Sequence, residues 1–359
     1  MNDECLKLTA YFGERQRLRG RFYADEMFDL FDEHELRTSI LLRGIAGFGS
    51  RHHLRTDQSL TMSEDPPVAA IGIDARDRIE RLLTRMMADQ RRGLLTLERA
   101  RVLQDDLGHV VLSEELNEAT KLTVYVGRQE RVYRVPAYVA VCDLLRRRGV
   151  AGASVLLGVD GTLGGHRQRA HFFDRNVGVP TMVIAVAAGD RIAAVLPELG
   201  GLLKRPLMTV ERVRVCKRDG VLLERPHALP AVDEHGLNLW QKMMVYTSES
   251  HLHEGEPVHR ALIRRLRASS VARGATALRG VWGFHGDHEP HGDSLFQIGR
   301  RVPVTTIIVD TPGHISQCFD IVDELTQEHG LVTTEMVPAL GALDGGDDRS
   351  RLRLARHKF

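Results

Sequence analysis

The chain has 359 residues, of which 43% are hydrophobic and 27% are charged, an ordinary composition for a globular protein. Its 49 Lys and Arg residues balance 48 Asp and Glu residues to a formal charge of +1, which argues against a general nucleic-acid binder. No apolar run reaches the ~18 residues that span a bilayer, and the first residues are acidic and polar, unlike a secretory leader. We therefore expect a cytoplasmic protein that is not embedded in a membrane.

The first predicted strand occurs three times. Residues 7–11 read Lys-Leu-Thr-Ala-Tyr, residues 121–125 read Lys-Leu-Thr-Val-Tyr, and residues 242–246 read Lys-Met-Met-Val-Tyr. Later landmarks recur at nearly the same offsets, namely Gly44, Gly158 and Gly280, then Pro67, Pro180 and Pro303. Because unrelated positions recur in register, a whole domain of roughly 100 residues is repeated. The predicted division is repeat 1 at 1–104, a linker at 105–119, repeat 2 at 120–217, a linker at 218–240, repeat 3 at 241–340 and a disordered tail at 341–359.

Each repeat is predicted to contain a strand, a helix, two strands, a helix and a strand, in that order. The first strand alternates polar and apolar residues, as a half-buried strand does. The first helix carries an apolar stripe such as Ala24, Met27, Phe28 and Phe31. This order is that of the ferredoxin-like split βαβ arrangement, an α+β fold. Since helices cover one face of such a sheet, the other faces of the three sheets could cover one another as an intramolecular pseudotrimer.

The repeated residues resemble a known family. Each repeat has versions of Lys-Leu-x-x-Tyr, Leu-Arg-Gly-Ile-x-Gly-Phe-Gly, a polar loop, Pro-Val with a β-run, and Thr-x-Glu. This combination resembles the domain of unknown function 190 family, which is structurally similar to the PII signalling proteins. Repeat 2 departs from the pattern, since Leu157 replaces the arginine and Thr162-Leu163 replaces Phe-Gly.

The resemblance implies a function. PII proteins are trimers of ferredoxin-like subunits that bind adenine nucleotides in clefts between subunits and touch a partner enzyme or transporter through a long loop. This chain would then be a monomer that acts as a fused trimer, a non-enzymatic sensor for a small anionic ligand such as ATP, ADP or AMP. Its partner would be a transporter, a channel or an enzyme. Members of the family are frequently encoded near fluoride channels, so the resemblance also points to ion homeostasis.

Glycines and basic residues are the predicted ligand-binding residues. Three segments contribute them: Arg43, Gly44, Gly47 and Gly49 in repeat 1, Arg279, Gly280 and Gly283 in repeat 3, and Arg91, Arg92, Lys204 and Arg205 where PII proteins carry their phosphate loop. The alternative is that the glycines only permit tight turns and close packing. Because the last segment has one glycine or none, it cannot form a nest of N–H groups, but its cations can pair with phosphate oxygens.

A second set of residues is predicted to mark the contact between repeats. On each first strand a lysine shares one face with a tyrosine, the pairs being Lys7 with Tyr11, Lys121 with Tyr125, and Lys242 with Tyr246. We expect snorkelling lysines and packed tyrosines there, or a lysine that meets an anion. Each last strand also carries a glutamate, which could bind a ribose or base or pair with an arginine of a neighbouring repeat. These glutamates are Glu98, Glu211 and Glu335.

A histidine-rich loop supports a different function. His285, His288 and His291 are closely spaced with carboxylates, and together they could hold a divalent metal. The alternatives are a solvated polar loop or a loop that recognises another protein. The chain would then be a metal-binding protein or a metal-dependent enzyme, and a third alternative is a structural adaptor without a ligand. The sequence contains neither the Gly-x-Ser-x-Gly nucleophile motif nor the P-loop lysine pattern.

Overall fold

The computed structural model describes residues 4–56, 65–87, 93–104, 107, 110, 112, 119–170, 178–285, 291–292, 302–342 and 354–356. Within these residues the chain has mixed α/β content, with six helices and 25 strands. Repeat 1 contains β1 (Glu4–Gly13), β2 (Arg17–Leu18), β3 (Arg21–Phe22), α1 (Tyr23–Glu33), β4 (Thr38–Phe48), β5 (Arg55–Thr56), β6 (Pro67–Ala75), α2 (Arg76–Met87) and β7 (Leu94–Leu103).

The other two repeats follow the same order with added strands. Repeat 2 contains β8 (Thr120–Gly127), β9 (Arg131–Val132), β10 (Val135–Pro136), α3 (Ala137–Arg147), β11 (Gly152–Leu163), β12 (His166–Arg169), β13 (Pro180–Ala187), α4 (Gly189–Leu202), β14 (Leu207–Arg212), β15 (Arg214–Arg218) and β16 (Val221–Leu222). Repeat 3 contains β17 (Trp240–Ser248), β18 (Leu252–His253), β19 (Glu256–Pro257), α5 (Val258–Ser269), β20 (Ala275–Arg279), β21 (Trp282–His285), β22 (His291–Gly292), β23 (Pro303–Asp310), α6 (Pro312–Leu325), β24 (Leu331–Val337) and β25 (Ala339–Ala342).

Each repeat builds one antiparallel sheet with the same strand order. In repeat 1 the order is β4-β6-β1-β7, in repeat 2 it is β11-β13-β8-β14, and in repeat 3 it is β20-β23-β17-β24. The first strand of each repeat is therefore central and pairs on both sides. Because side chains alternate along a strand, every central strand presents one row to the helices and the other row away from them.

The two faces of each sheet bury different cores. The face towards the helices buries one apolar cluster per repeat, and in repeat 1 this cluster joins Leu6 and Leu8 of β1 to Met27 and Phe28 of α1. Equivalent clusters lie in repeats 2 and 3. The opposite faces contribute to one shared cluster with members from all three repeats, including Ile40, Tyr125 and Ile307. Thus the three sheets have their helix-free faces turned towards a common interior.

Strands of different repeats also pair at their edges. The last strands connect the repeats in a cycle, since β14 pairs with β7, β15 with β24, and β25 with β7. The strands that follow the first helix of each repeat form another cycle, since β4 pairs with both β11 and β20, and β11 pairs with β21. These pairings join 19 of the described strands into one hydrogen-bonded sheet. Edge strands that would otherwise be open are thereby covered by a neighbouring repeat.

The expected disordered tail is partly wrong. Strand β25 includes residues 341 and 342, which pair with β7. Further along, Ala355 is fully buried, its N–H donates to the carbonyl of Pro338 at 2.8 Å, and the N–H of Arg356 donates to Asp233 at 2.9 Å. The composition of the tail did not predict this short anchored segment. Its hydrogen bonds are donated by backbone N–H groups, which are present whatever the side chains are.

Candidate functional site

Three lysines and three glutamates meet on the helix-free faces of the central strands. Within each repeat one lysine lies directly opposite one glutamate on the paired last strand. The side chains also reach across to the neighbouring repeat, where Lys7 contacts Glu211 at 2.5 Å, Lys121 contacts Glu335 at 2.6 Å, and Lys242 contacts Glu98. The contacts inside the repeats are Lys7–Glu98 at 2.9 Å, Lys121–Glu211 at 2.6 Å and Lys242–Glu335 at 2.8 Å. These six residues alternate in sign around a closed circuit, which we call the central ring.

All six members of the central ring are buried. Burial opposes ionisation of Glu98, but the positive charges of Lys242, Lys7 and Lys121 outweigh it and hold the pKa of Glu98 far below its usual range. Burial likewise opposes ionisation of Glu211, yet Lys121 and Lys7 lower the pKa of its carboxyl to about 2. Burial disfavours the charged form of Lys242, while Glu335 and Glu98 more than offset this and raise its pKa. Lys121 differs, since burial lowers its pKa despite the facing carboxylates of Glu211 and Glu335. With every member charged, the three lysines and three glutamates of the ring balance one another.

The central ring corrects two predictions. The glutamates pair with lysines of their neighbours, where arginines were expected, and the lysines are buried in ion pairs rather than snorkelling to solvent. Carboxylate oxygens of Glu98, Glu211 and Glu335 lie within 4.8 Å of one another, a spacing that could suit a metal ion. However, each carboxylate already binds the ammonium groups of two lysines. A cation would have to displace those groups, so the geometry favours a structural ring over a metal centre.

A cleft of about 460 Å³ lies between repeats 1 and 3, and we call it the first cleft. Its charged lining consists of four arginines, one histidine and one carboxylate, namely Arg15, Arg51, Arg55, Arg273, His53 and Asp65. Asp65 is already paired with the guanidinium of Arg55. The guanidinium of Arg273 lies over the ring of Trp240 at 5.5 Å and faces Asp310 at 3.6 Å. This cleft therefore combines an aromatic wall with a surplus of positive charge.

A cleft of about 390 Å³ lies at the corresponding place between repeats 2 and 3, and we call it the second cleft. Here the ionisable lining differs, since it consists of Arg218, His251, His285 and His329 with Tyr246. The rings of His251 and His329 stack with centroids 4.5 Å apart. His285 contacts the carboxylate of Asp219 through Nε2. Repeats 1 and 2 meet differently, because Thr38 donates a hydrogen bond to the carbonyl of Thr162 at 2.8 Å there.

The predicted ligand residues divide between the clefts and their surroundings. Gly49 lines the first cleft, and Gly283 lines the second. The tyrosines divide similarly, since Tyr11 lines the first cleft and Tyr246 the second, whereas Tyr125 is buried in the shared cluster. The two predicted arginines form equivalent ion pairs instead, an exposed one between Arg43 and Glu14 at 2.8 Å and a half-buried one between Arg279 and Glu249 at 2.7 Å. Neither arginine is part of the lining of the two clefts.

The predicted glycines of β4 and of the β20–β21 segment have a packing role. A Cβ on Gly44 would meet the carbonyl of Pro67 at 2.9 Å, and one on Gly47 would meet the carbonyl of Ala275 in repeat 3 at 2.6 Å. Gly280 and Gly283 repeat this arrangement against Pro303 and the neighbouring strand of repeat 2. These positions need glycine because backbones of two repeats approach closely there. A role of these glycines in ligand binding stays a prediction.

The remaining predicted residues are only partly described. Arg91, Arg92 and His288 lie outside the described residues, and His291 is described only as part of strand β22. Lys204 and Arg205 are exposed after α4 and belong to the lining of neither cleft. Sequence reasoning missed the arginines of the first cleft and two histidines of the second. The signal available was their position, since Arg15 and His251 follow the tyrosines of the first strands, Tyr11 and Tyr246, by four and five residues.

Comparison with known proteins identifies the family. The DUF190 family, described as uncharacterized ACR, matches at residues 5–102, 119–215 and 240–339. The chain therefore belongs to this family and carries three tandem copies of its domain, as the sequence predicted. One relative is the UPF0166 protein of Aquifex aeolicus (strain VF5), which is 29% identical over 99 residues covering 27% of this chain and 90% of that protein. A single repeat thus corresponds to nearly the whole relative.

Among solved structures, the chain was matched to the crystal structure of aspartate kinase from Synechocystis. The two are 12% identical, and the match covers 93% of this chain but only 43% of the kinase chain. The TM-score is 0.23, which is too low to carry an argument. Among the described helices, none is both long enough and apolar enough to cross a membrane.

Proposed function

We propose that this protein is a non-enzymatic, PII-like sensor made of three ferredoxin-like repeats that pack as an intramolecular pseudotrimer. It binds a small anionic ligand, for which an adenine nucleotide is the expected class, in clefts between the repeats. Ligand binding changes the contact of the long loops with a transporter, a channel or an enzyme. A role in fluoride homeostasis belongs to this proposal through the family resemblance alone.

The strand order and the cyclic pairing support the architectural part of the proposal. A β-α-β-β-α-β order with the first strand in the centre of the sheet is the arrangement of the ferredoxin-like fold. Three such sheets face a common interior and exchange edge pairings in a cycle. The central ring has one lysine and one glutamate from each repeat, which fits a pseudo-threefold relationship.

The first cleft is the observation that carries the ligand part of the proposal. Its volume of about 460 Å³ lies within the range of small-molecule sites. Arginine guanidinium groups match phosphate oxygens in geometry and charge. Arg15 and Arg51 are exposed, and no carboxylate pairs with their side chains among the described residues. Trp240 and the guanidinium of Arg273 that lies over its ring add planar groups beside these charges, against which a base can stack.

A thermal-shift experiment on the metal-free protein tests this function. ATP, ADP and AMP are compared for the wild type, the double variant Arg51→Ala/Arg273→Ala, and the control variant Arg43→Ala, whose arginine lies outside both clefts. A ligand at 100 times its Kd stabilises the native state by about 2.7 kcal/mol. We expect a raised midpoint in the wild type and in Arg43→Ala, and at least about tenfold weaker binding in the double variant.

The same experiment contains the result that would overturn the proposal. If no adenine nucleotide changes the midpoint, the nucleotide-sensor function is wrong. A shift that is equal in the wild type and in the double variant would place the nucleotide elsewhere. A shift with zinc alone would favour the metal-binding alternative over the sensor.

A further inference from the structure

The two clefts occupy equivalent places but carry different chemistry. Gln16 and His251 are at matching positions, because their N–H groups both donate at 3.0 Å to the carbonyl three residues earlier and their carbonyls both accept the N–H seven residues later. Gly49 and His285 also match, since each comes two residues after the glycine that packs against the neighbouring repeat. Where the first cleft has an amide and a bare backbone, the second cleft therefore has two imidazoles.

The charge of the second cleft depends on protonation. Its lining contains one arginine and three histidines and no carboxylate, whereas the lining of the first cleft has four arginines, one histidine, His53, and one paired aspartate. Histidine is the side chain whose charge ordinarily changes between about pH 5 and pH 8. Protonation of its imidazoles thus raises the positive charge of the second cleft, whereas the arginines of the first cleft are charged throughout this range.

The three imidazoles of the second cleft contact groups on several strands and turns. On the turn after β17, Nδ1 of His251 accepts the N–H of Ser248 at 3.2 Å, which directs Nε2 away from the turn. His329, before β24, stacks on His251 and has Glu328 at 3.8 Å. Among the described residues, the other charged or titratable groups at this cleft are Arg218 and Asp219 at the end of β15, His285 on β21, and Tyr246 on β17. Glu328 is 84% exposed in its side chain and Asp219 is 49% exposed, so water screens both carboxylates.

We propose that the second cleft is a proton-coupled anion site, which binds an anionic group of a small ligand together with protons on its histidines. This inference rests on the proposed function insofar as the clefts take anionic ligands. Two protonated rings stacked at 4.5 Å repel each other, and an anion that contacts them offsets that repulsion. By linkage, the anion binds more tightly as the pH falls, and its binding takes up protons from solution. The first cleft holds its anion mainly with guanidinium groups and has a single histidine, His53, so its coupling to protons is weaker.

Sulfate is the probe for this site, because it does not change its own charge in this pH range. Calorimetric titrations in buffers of different ionisation enthalpy give the number of protons taken up per chain. The variant His251→Gln/His329→Arg places the first cleft's glutamine at one position and a permanent cation at the other. The control variant His235→Gln changes an exposed histidine that lines neither cleft.

We expect the wild type and His235→Gln to take up about one proton on saturation near pH 6.5, with about tenfold tighter sulfate binding at pH 6 than at pH 8. The double variant keeps His285 in the second cleft and His53 in the first, so it should take up clearly fewer protons and show a smaller difference in sulfate affinity between the two pH values. Proton uptake that is absent in the wild type, or that is undiminished in the double variant, would overturn the inference. Its failure is distinct from failure of the nucleotide proposal, since the former is measured with sulfate at the histidines and the latter with adenine nucleotides at Arg51 and Arg273.

Discussion

The ammonium group of Lys7 in repeat 1 donates a hydrogen bond to the carboxylate of Glu211 in repeat 2 at 2.5 Å, with both side chains buried. The same lysine contacts Glu98 of its own repeat at 2.9 Å. Each charged side chain of the central ring thus contacts one partner in its own repeat and one partner in a neighbouring repeat. Because an unpaired buried charge is costly, this pattern favours the one arrangement in which all three repeats meet.

Removal of one charge from the central ring should destabilise the protein strongly. Glu211→Gln leaves two buried lysines with one carboxylate fewer, and the loss of one partner of a buried pair typically costs about 3–5 kcal/mol. Denaturant unfolding measures the change in free energy. Glu234→Gln, on an exposed side chain, is the control with an expected change below about 0.5 kcal/mol. A similar small change for Glu211→Gln would show that the ring contributes little.

Replacement of the whole ring should have the opposite result. A variant with methionine at the three lysine positions and leucine at the three glutamate positions removes every charge of the central ring at once. Since packed apolar residues often replace buried ion pairs at no cost or with a gain of about 1–4 kcal/mol, we expect stability equal to or above that of the wild type. If this variant unfolds as easily as Glu211→Gln, the shape of the side chains rather than their charge balance determines the stability of the interior.

The ring should also make the protein acid-sensitive. The pKa values of Glu98 and Glu211 are lower in the folded chain than the value of about 4.3 for an unperturbed glutamate. Below about pH 4.3 the unfolded chain therefore binds protons that the folded chain does not, and stability falls as the pH drops towards 2. Unfolding midpoints of the wild type and of the variant with all six positions apolar, compared across this range, check the claim. Equal slopes for the two proteins would contradict it.

A separate loss of stability should begin at higher pH because of His259 on α5. Burial, and then the positive charges of Arg260 and Arg279, lower the pKa of this imidazole to about 4. An unfolded histidine takes up its proton near pH 6.5, so the folded state loses stability progressively between about pH 6.5 and pH 4. His259→Leu should abolish this part of the slope, while His235→Gln should leave it intact. An unchanged slope in His259→Leu would assign the effect to another group.

The close approach at Gly280 should tolerate no side chain. A Cβ there would lie 2.6 Å from Cγ of Pro303 and 2.9 Å from the carbonyl of Val155 in repeat 2. We expect Gly280→Ala to cost about 1–3 kcal/mol, because the strands of two repeats must separate. Gly201→Ala in α4 is the matched control, since no atom lies within 4 Å of its Cβ position and alanine favours a helix. Equal stability of the two variants would refute the packing role.

The repetition made most of the fold predictable, and the site much less so. Alternation in β1 and the stripe of α1 assigned the faces correctly, since both follow from local periodicity. For Glu98 an arginine of a neighbouring repeat was expected, but the partner there is Lys242 of repeat 3, 144 residues away, because the residue that reaches the carboxylate depends on how the repeats pack. The arginines of the first cleft were missed for the same reason, since Arg51 and Arg273 come together only through the pairing of β4 with β20. A sequence pattern records periodicity within one element, but such convergence depends on the packing between repeats.

Native mass spectrometry of the protein with ADP tests the central claim most directly, because it reports the assembly and the ligand together. The account predicts a single chain of 40.2 kDa that carries at least one ADP, with the bound population reduced in Arg51→Ala/Arg273→Ala and retained in Arg43→Ala. A ligand-free chain at saturating ADP would contradict the ligand-binding role of the clefts. An obligate assembly of several chains would contradict a closed pseudotrimer within one polypeptide.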